Sequence, residues 1–208
     1  IKIPLKVGQD WKDHFKKAIC PNGEMLIVHT SNFRKVKRIP DVINVFNNIH
    51  KVIPSKLLMI GDGPERNEAE ETCRHLGICD DVRFLGKLEA VEEVLSVADL
   101  FLMPSEKESF GLAALEAMAC EVPVISTNAG GIPELNVQGV TGFMSNVGDV
   151  EDMTKNALVI LDKNNLPTFK ANALKRAQEF DITKILPQYE DYYVEVMERS
   201  MKNTAVNK

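Results

Sequence analysis

The sequence is short of the features that build extracellular, metal-bound or membrane-spanning proteins. Its four cysteines (20, 73, 79 and 120) form no Cys-x-x-Cys pair, and its four histidines (14, 29, 50 and 75) show no metal-like spacing. That excludes a disulfide framework and a structural zinc site and points to reduced thiols in a cytosolic protein. No apolar run approaches the roughly 20 residues that span a bilayer, and no charged-then-apolar leader opens the chain. A membrane span and an export signal are therefore not expected, and a cytoplasmic location is. Basic charge is in deficit as well: 30 acidic against 25 basic side chains leave a net −5. The chain thus has no general attraction for nucleic acid or anionic lipid, so any anionic ligand must be caught locally. Internal repeats, low-complexity stretches and linker-like segments are also lacking. There is no initiator Met before Ile1, from which a fragment of a longer protein is expected.

What is present is alternation. At 208 residues and 44% hydrophobic content the chain can bury a substantial core. Short apolar runs at 25–30, 56–61, 82–86, 100–104 and 123–127 read as strands. Segments with helical spacing or composition at 39–52, 64–77, 88–98 and 111–119 separate them. The strand runs are continuously apolar rather than alternating, which is the pattern of a parallel sheet covered by helices on both faces. Ligands of such sheets collect outside the carboxyl ends of the strands. After residue 127 a Gly-rich segment, 128–143, is expected to interrupt regular structure, followed by helices near 150–162, 166–179 and 183–202. The simplest count is one α/β domain with a helical tail. Met25, Met59, Met103 and Met118 lie in apolar patterns and read as core filler.

Three βα loops could carry chemistry. "SNFRKVKRIP" (31–40) crowds Arg34, Lys35, Lys37 and Arg38 before a helix. Cations there oppose the helix dipole at about 0.3–1 kcal/mol each when exposed, so either a bound phosphate compensates or the cluster is a solvated turn. "IGDGPER" (60–66) brings Gly61 to a strand end, yet Arg66 stands where the third glycine of Gly-x-Gly-x-x-Gly would be. That weakens an NAD-dehydrogenase reading and favours a tight βα turn. "SEKESFGLAALEAMACEVPVI" (105–125) holds Glu108 and Glu116, separated by seven residues. Ser109 can cap the helix, Gly111 allows close approach of a ligand, and the first-turn N–H groups can face a diphosphate. Glu116 shares a helix face with Leu112 inside an otherwise uncharged stretch, so it needs a partner or a ligand. A carboxylate accepting from two vicinal hydroxyls would serve as a ribose clamp.

The motif Glu108-x7-Glu116, followed by "GGIPELNVQGVTGF" and preceded by "IGDGPE" and "VRFLGKL", resembles the C-terminal, nucleotide-sugar-binding half of the family 4 retaining glycosyltransferases with the GT-B fold. The resemblance runs from about residue 25 to 160 in unbroken order. It implies a Rossmann-like domain at 25–182, a lead-in at 1–24 from an acceptor-binding domain that is absent here, and a return helix and tail at 183–208. Within the family, the 31–38 loop is similar to that of the subfamily that moves GlcNAc from UDP-GlcNAc to L-malate in bacillithiol biosynthesis. The resemblance implies that Lys37, with Asn32 or Arg34, neutralises the departing diphosphate, aided by the amides of Ser109 to Leu112. It further implies Glu116 on the ribose, Glu108 with Phe110 and Gly111 on the donor sugar, and Leu85 with Leu88 beside the uracil, with Gly61 lining the site. Glu108 would support the sugar rather than act as a nucleophile. No metal is implied, and the chain has no Asp-x-Asp motif. The partners implied are a UDP-sugar donor and an acceptor held by the absent domain; a homo-oligomer is compatible with both. The rival readings are another UDP- or GDP-sugar glycosyltransferase of family 4 and a stand-alone nucleotide-binding regulatory domain.

Overall fold

A computed structural model describes residues 7–206, so residues 1–6 of the expected lead-in and 207–208 of the expected tail lie outside it. The chain runs α1 (Gln9–Ile19), β1 (Met25–Ser31), α2 (Ile39–His50), β2 (Ser55–Gly61), α3 (Arg66–Leu76), β3 (Val82–Gly86), α4 (Val91–Leu95) and β4 (Leu100–Met103). It continues through α5 (Leu112–Ala119), β5 (Val124–Thr127), β6 (Gly142–Ser145), α6 (Val150–Leu161), α7 (Leu166–Glu179) and α8 (Ile182–Val206). The six strands form one parallel sheet in the order β3-β2-β1-β4-β5-β6. Strand order reverses direction between β1 and β4. At that switch point the following loops diverge to opposite faces and leave a crevice.

Strand periodicity explains the continuous apolar runs. Leu26 and Val28 of β1, with Leu58 and Ile60 of β2, point to one face and join α4, α5 and α7 in a core containing Leu95, Leu115, Met118 and Ala173. Ile27, Leu57 and Met59 point to the other, against Val42 and Phe46 of α2, Cys73 of α3 and Ile160 of α6. Both sets are almost wholly buried, so neither face can be polar. Of the four methionines read as core, Met59, Met103 and Met118 are buried and Met25 is half-buried. Among the described residues no helix is long and apolar enough to cross a membrane.

The structure departs from the sequence expectation in three places. The Gly-rich segment contains a sixth strand, β6. Buried Asn136 organises it, donating to the Val124 and Phe143 carbonyls (both 3.2 Å) and to Ser126 Oγ (2.9 Å) while accepting from Thr141 Oγ1 (2.9 Å). A β-carbon at Gly142 would lie 1.8 Å from the Val124 oxygen, so only glycine lets the chain come that close to β5. The helix expected over 88–98 shrinks to Val91–Leu95. Residues 9–19, where the apolar pattern predicts no regular element, form the amphipathic α1.

Helix α1 is tied down electrostatically. Asp99, 8% exposed, sits just before β4. It pairs with Lys16 of α1 through one oxygen and with Lys170 of α7 (3.0 Å) through the other, and it accepts from the Leu26 amide (2.9 Å). Burial acts to raise its pKa, but Lys170 and Lys16 together with that amide outweigh burial and hold it below the ordinary aspartate value. The same lysines donate to the carbonyls that precede Asp99, Lys16 to Val97 (2.9 Å) and Lys170 to Ala98 (3.1 Å).

Replacing Asp99 by Asn leaves two partly buried ammonium groups facing each other without their carboxylate. Asp99→Asn is expected to cost about 2 kcal/mol at neutral pH, lowering Tm by about 4–8 °C. Because the folded pKa is depressed, this stabilisation exists above the unfolded value and is lost as pH falls. Thermal melts should therefore show the deficit shrinking below about pH 4.

Candidate functional site

The crevice at the switch point is walled by two loops, and the first leaves β1. Its path is set by Phe33, a fully buried ring on a backbone with φ 38°. The left-handed region is unusual for a bulky residue and must be held by its surroundings. The Phe33 amide donates to Ser31 Oγ (3.2 Å), its carbonyl accepts from the Glu65 amide (2.9 Å), and its ring meets Phe84 edge-on at 6.4 Å. Gly61 makes room for this turn: a β-carbon there would lie 1.8 Å from the Ser31 oxygen. Its glycine identity is thus required by the protein's own backbone. The chain then makes a short 3-10 turn, Lys35–Lys37, and enters α2 at Arg38.

The basic cluster divides in three. Arg38 is the N-cap of α2 with φ 50° and pairs with Asp41 in the first turn, which relieves its conflict with the helix dipole. Arg34 and Lys35 are exposed, as is Asn32. Lys37 crosses the crevice instead and forms an ion pair with Glu108 of the second loop.

That second loop leaves β4 and covers residues 104–111. The Glu106 amide donates to the Val36 carbonyl (2.8 Å), joining the two loops by their backbones beside the ion pair. Glu108 also accepts from Ser105 Oγ (2.9 Å), and the Ser105 carbonyl accepts from Thr127 Oγ1 (2.5 Å) at the end of β5. From the β5 side the Gly131 amide donates to the Glu108 carbonyl (3.1 Å), while a β-carbon at Gly130 would lie 1.8 Å from that oxygen. Glu108 and Lys37 keep only 14% and 21% of their side-chain surface. Loops from β1, β4 and β5 therefore converge on one carboxylate–ammonium pair.

Helix α5 begins beside this pair. Ser109 does not cap it; Gly111, with φ 92°, is the N-cap and no side chain closes the helix end. Among the described residues the N–H groups of Leu112, Ala113 and Ala114 meet no intrachain acceptor, so the positive helix end stays available to an anion. Phe110 is half-buried, and its ring meets Phe180 at 5.4 Å. Leu112, the first residue of α5, and Glu116, one turn later, both face outward, Leu112 being 63% exposed. Among the described residues the Glu116 carboxylate makes no hydrogen bond or ion pair. Partial burial, and then the charge of Glu92 on α4, raise its pKa above the ordinary glutamate value. Leu85 is half-buried at the end of β3, and Leu88 is 37% exposed just beyond it.

The structure thus brings Lys37, Glu108 and residues 109–112 together. Glu116 is set farther along α5 toward α4, and Leu85 and Leu88 follow the edge strand β3. Sequence reasoning missed Ser105, Thr127 and the Gly130–Gly131 pair. The double glycine was the visible signal, but which carbonyl it approaches depends on the order of β4 and β5.

A profile of the family Glycosyl transferases group 1 matches residues 10–177. The chain belongs to that family. This glycosyl transferase domain is 45% identical over 186 residues to the N-acetyl-alpha-D-glucosaminyl L-malate synthase of Bacillus anthracis, covering 87% of this chain and 48% of that protein. It is 31% identical over 169 residues to the sulfoquinovosyl transferase SQD2 of Arabidopsis thaliana, covering 77% of this chain and 32% of that one. Among solved structures it superimposes on Anabaena Alr3699/HepE, crystallised with UDP and glucose, at a TM-score of 0.82 and 25% identity. That match covers 93% of this chain and 55% of the other. The chain spans about half the length or less of the curated relatives named here. Its parallel sheet with helices on both faces is a Rossmann-like fold shared with glycosyltransferases of the GT-B type.

An unpaired carboxylate with a raised pKa is kept at a cost. The ionised form is what the fold penalises, so the penalty is absent below the unfolded pKa and grows as pH rises through the folded one. Glu116→Gln is expected to raise Tm at pH 7, with the gain vanishing toward about pH 4; melts at the two pH values check the sign.

Proposed function

We propose that this chain is the donor-binding half of a retaining, metal-independent glycosyltransferase that moves GlcNAc from UDP-GlcNAc to L-malate. The observation that carries the reading is the Lys37–Glu108 pair across the β1/β4 switch point, beside the uncapped start of α5. The choice of UDP-GlcNAc and malate is supported by the 45% identity to a malate synthase.

In this reading the diphosphate lies over the first-turn amides of α5, with Lys37 turned onto it and Arg34 approaching from the exposed rim. Glu108, released from Lys37, accepts from the donor sugar's hydroxyls, with the Phe110–Gly111 backbone beside it. Glu116 accepts from the ribose hydroxyls, which rewards its unpaired charge, and Leu85 and Leu88 flank the uracil. The acceptor hydroxyl attacks the anomeric carbon on the face from which the diphosphate departs. Its proton passes to a leaving phosphate oxygen, so configuration is retained and Glu108 forms no bond to carbon. Lys37 and the helix end stabilise charge as it develops on the leaving group, usually the largest catalytic contribution. The acceptor is held by a partner domain, so transfer is a property of the longer protein.

The reading is tested by titrating the protein with UDP, GDP and NAD while following amide chemical shifts. Shifts at 31–38, 85–88 and 108–116 with UDP alone are expected; equal response to NAD, or none to UDP, would overturn it. In the natural gene product, transfer from UDP-GlcNAc to malate should persist in EDTA. Lys37→Ala should lower kcat about 10²–10³-fold; an unaltered kcat removes Lys37 from the chemistry.

A further inference from the structure

Beneath the Lys37–Glu108 pair lies a histidine that this reading does not use. His29, on β1, is 1% exposed. Its Nδ1 is 2.8 Å from the Leu102 carbonyl of β4, and its Nε2 is 2.8 Å from Ser31 Oγ. Its ring lies against Phe101, nearly parallel at 6.4 Å, and tilts against Phe33 at 6.1 Å.

The directions of these bonds follow from what each group can do. A carbonyl only accepts, so Nδ1 carries the proton and Nε2 is left as an acceptor. Ser31 must then donate its hydroxyl proton to Nε2, which turns its oxygen lone pairs toward the Phe33 amide, the donor 3.2 Å away. The three bonds form one oriented chain, Phe33 N–H to Ser31 O–H to His29 to the Leu102 carbonyl, with every member satisfied. Burial keeps the imidazole neutral, with its pKa lowered to about 4; a charged ring would reverse the Ser31 bond and leave the Ser31 hydroxyl proton without this acceptor.

We infer that His29 is a positioning residue: through Ser31 it holds the strained Phe33 turn, and so aims Lys37 across the switch point at the site of the leaving group. Phe33 lies four residues before Lys37 and has φ 38°. The 3-10 turn that presents Lys37 begins two residues after it. Because the same imidazole grips β4 at Leu102, six residues before Glu108, it sets both crevice walls from below. Relaxation of Phe33 to an ordinary φ would redirect residues 34–38 and move the ammonium off its target. The inference rests on the donor-site reading above.

Ser31→Ala tests it, because the residue is only half-buried and the change removes one hydroxyl without opening the core. In the natural gene product kcat for glycosyl transfer should fall about 10–100-fold, as for loss of a group that orients a reacting one, with a much smaller change in KM. Tm should stay within a few degrees, and Ser31→Thr, which keeps the hydroxyl, should restore kcat to within about threefold. Side-chain 15N spectra should show His29 neutral at pH 7 with its proton on Nδ1. Wild-type kcat in Ser31→Ala, or a proton on Nε2, overturns the inference while UDP binding by the unmodified protein leaves the donor site standing. Absence of UDP binding by the unmodified protein would overturn the donor-site reading itself.

Discussion

Everything at the crevice depends on one constraint: the β1 loop must cross to the β4 loop, and Lys37 must meet Glu108 there. The sheet order makes the encounter possible, because β1 and β4 are neighbours although more than sixty residues separate them in the chain. The backbone contact between Glu106 and Val36 holds the crossing from one side. Ser105, Thr127 and the Gly130–Gly131 turn brace the carboxylate from the other. A pair with so little remaining solvent contact has exchanged water for a partner, an exchange that is close to neutral for stability. Its value lies in holding a cation and an anion ready beside an open helix end.

The molecule separates stabilising charge from working charge. Asp99 is saturated by two lysines, an amide and a buried setting, and it fastens α1 and α7 to the edge of the core below the strands. Glu116 is the opposite case: on the outward face of α5, near another glutamate, and with a carboxylate that has no partner among the described residues. The left-handed backbone at Phe33 belongs with Glu116, since each carries a local cost near the crevice, although the Phe33 ring itself is part of the buried core.

Much of this was legible in the residues. Five of six strands could be read because a parallel strand buried on both faces leaves an unbroken apolar run, and their edges fall within a residue of the expectation. β6 was not legible. "GFMS" is short, begins with glycine and is neither continuous nor alternating in burial; it is a strand because Asn136 and β5 hold it there. Helix α1 lacked a signal of similar strength, since its sequence, QDWKDHFKKAI, is largely polar and its fixed point is a salt bridge to a residue 83 positions away. Likewise Ser109 reads as a helix cap by type, but the chain places Gly111 at the helix start.

For the site, the amino-acid sequence by itself determined the components: a basic loop after one strand, two glutamates around the start of a helix, and glycines where backbones must approach. Side-chain chemistry and local spacing suffice for that. Only the tertiary structure decided that Lys37 and not Arg38 reaches Glu108, that Gly61 serves the β1 turn, and that His29 connects β1 to β4. Each of those facts depends on which strands are neighbours. Strand neighbourhood comes from packing the whole chain around two apolar faces, and no single loop encodes it.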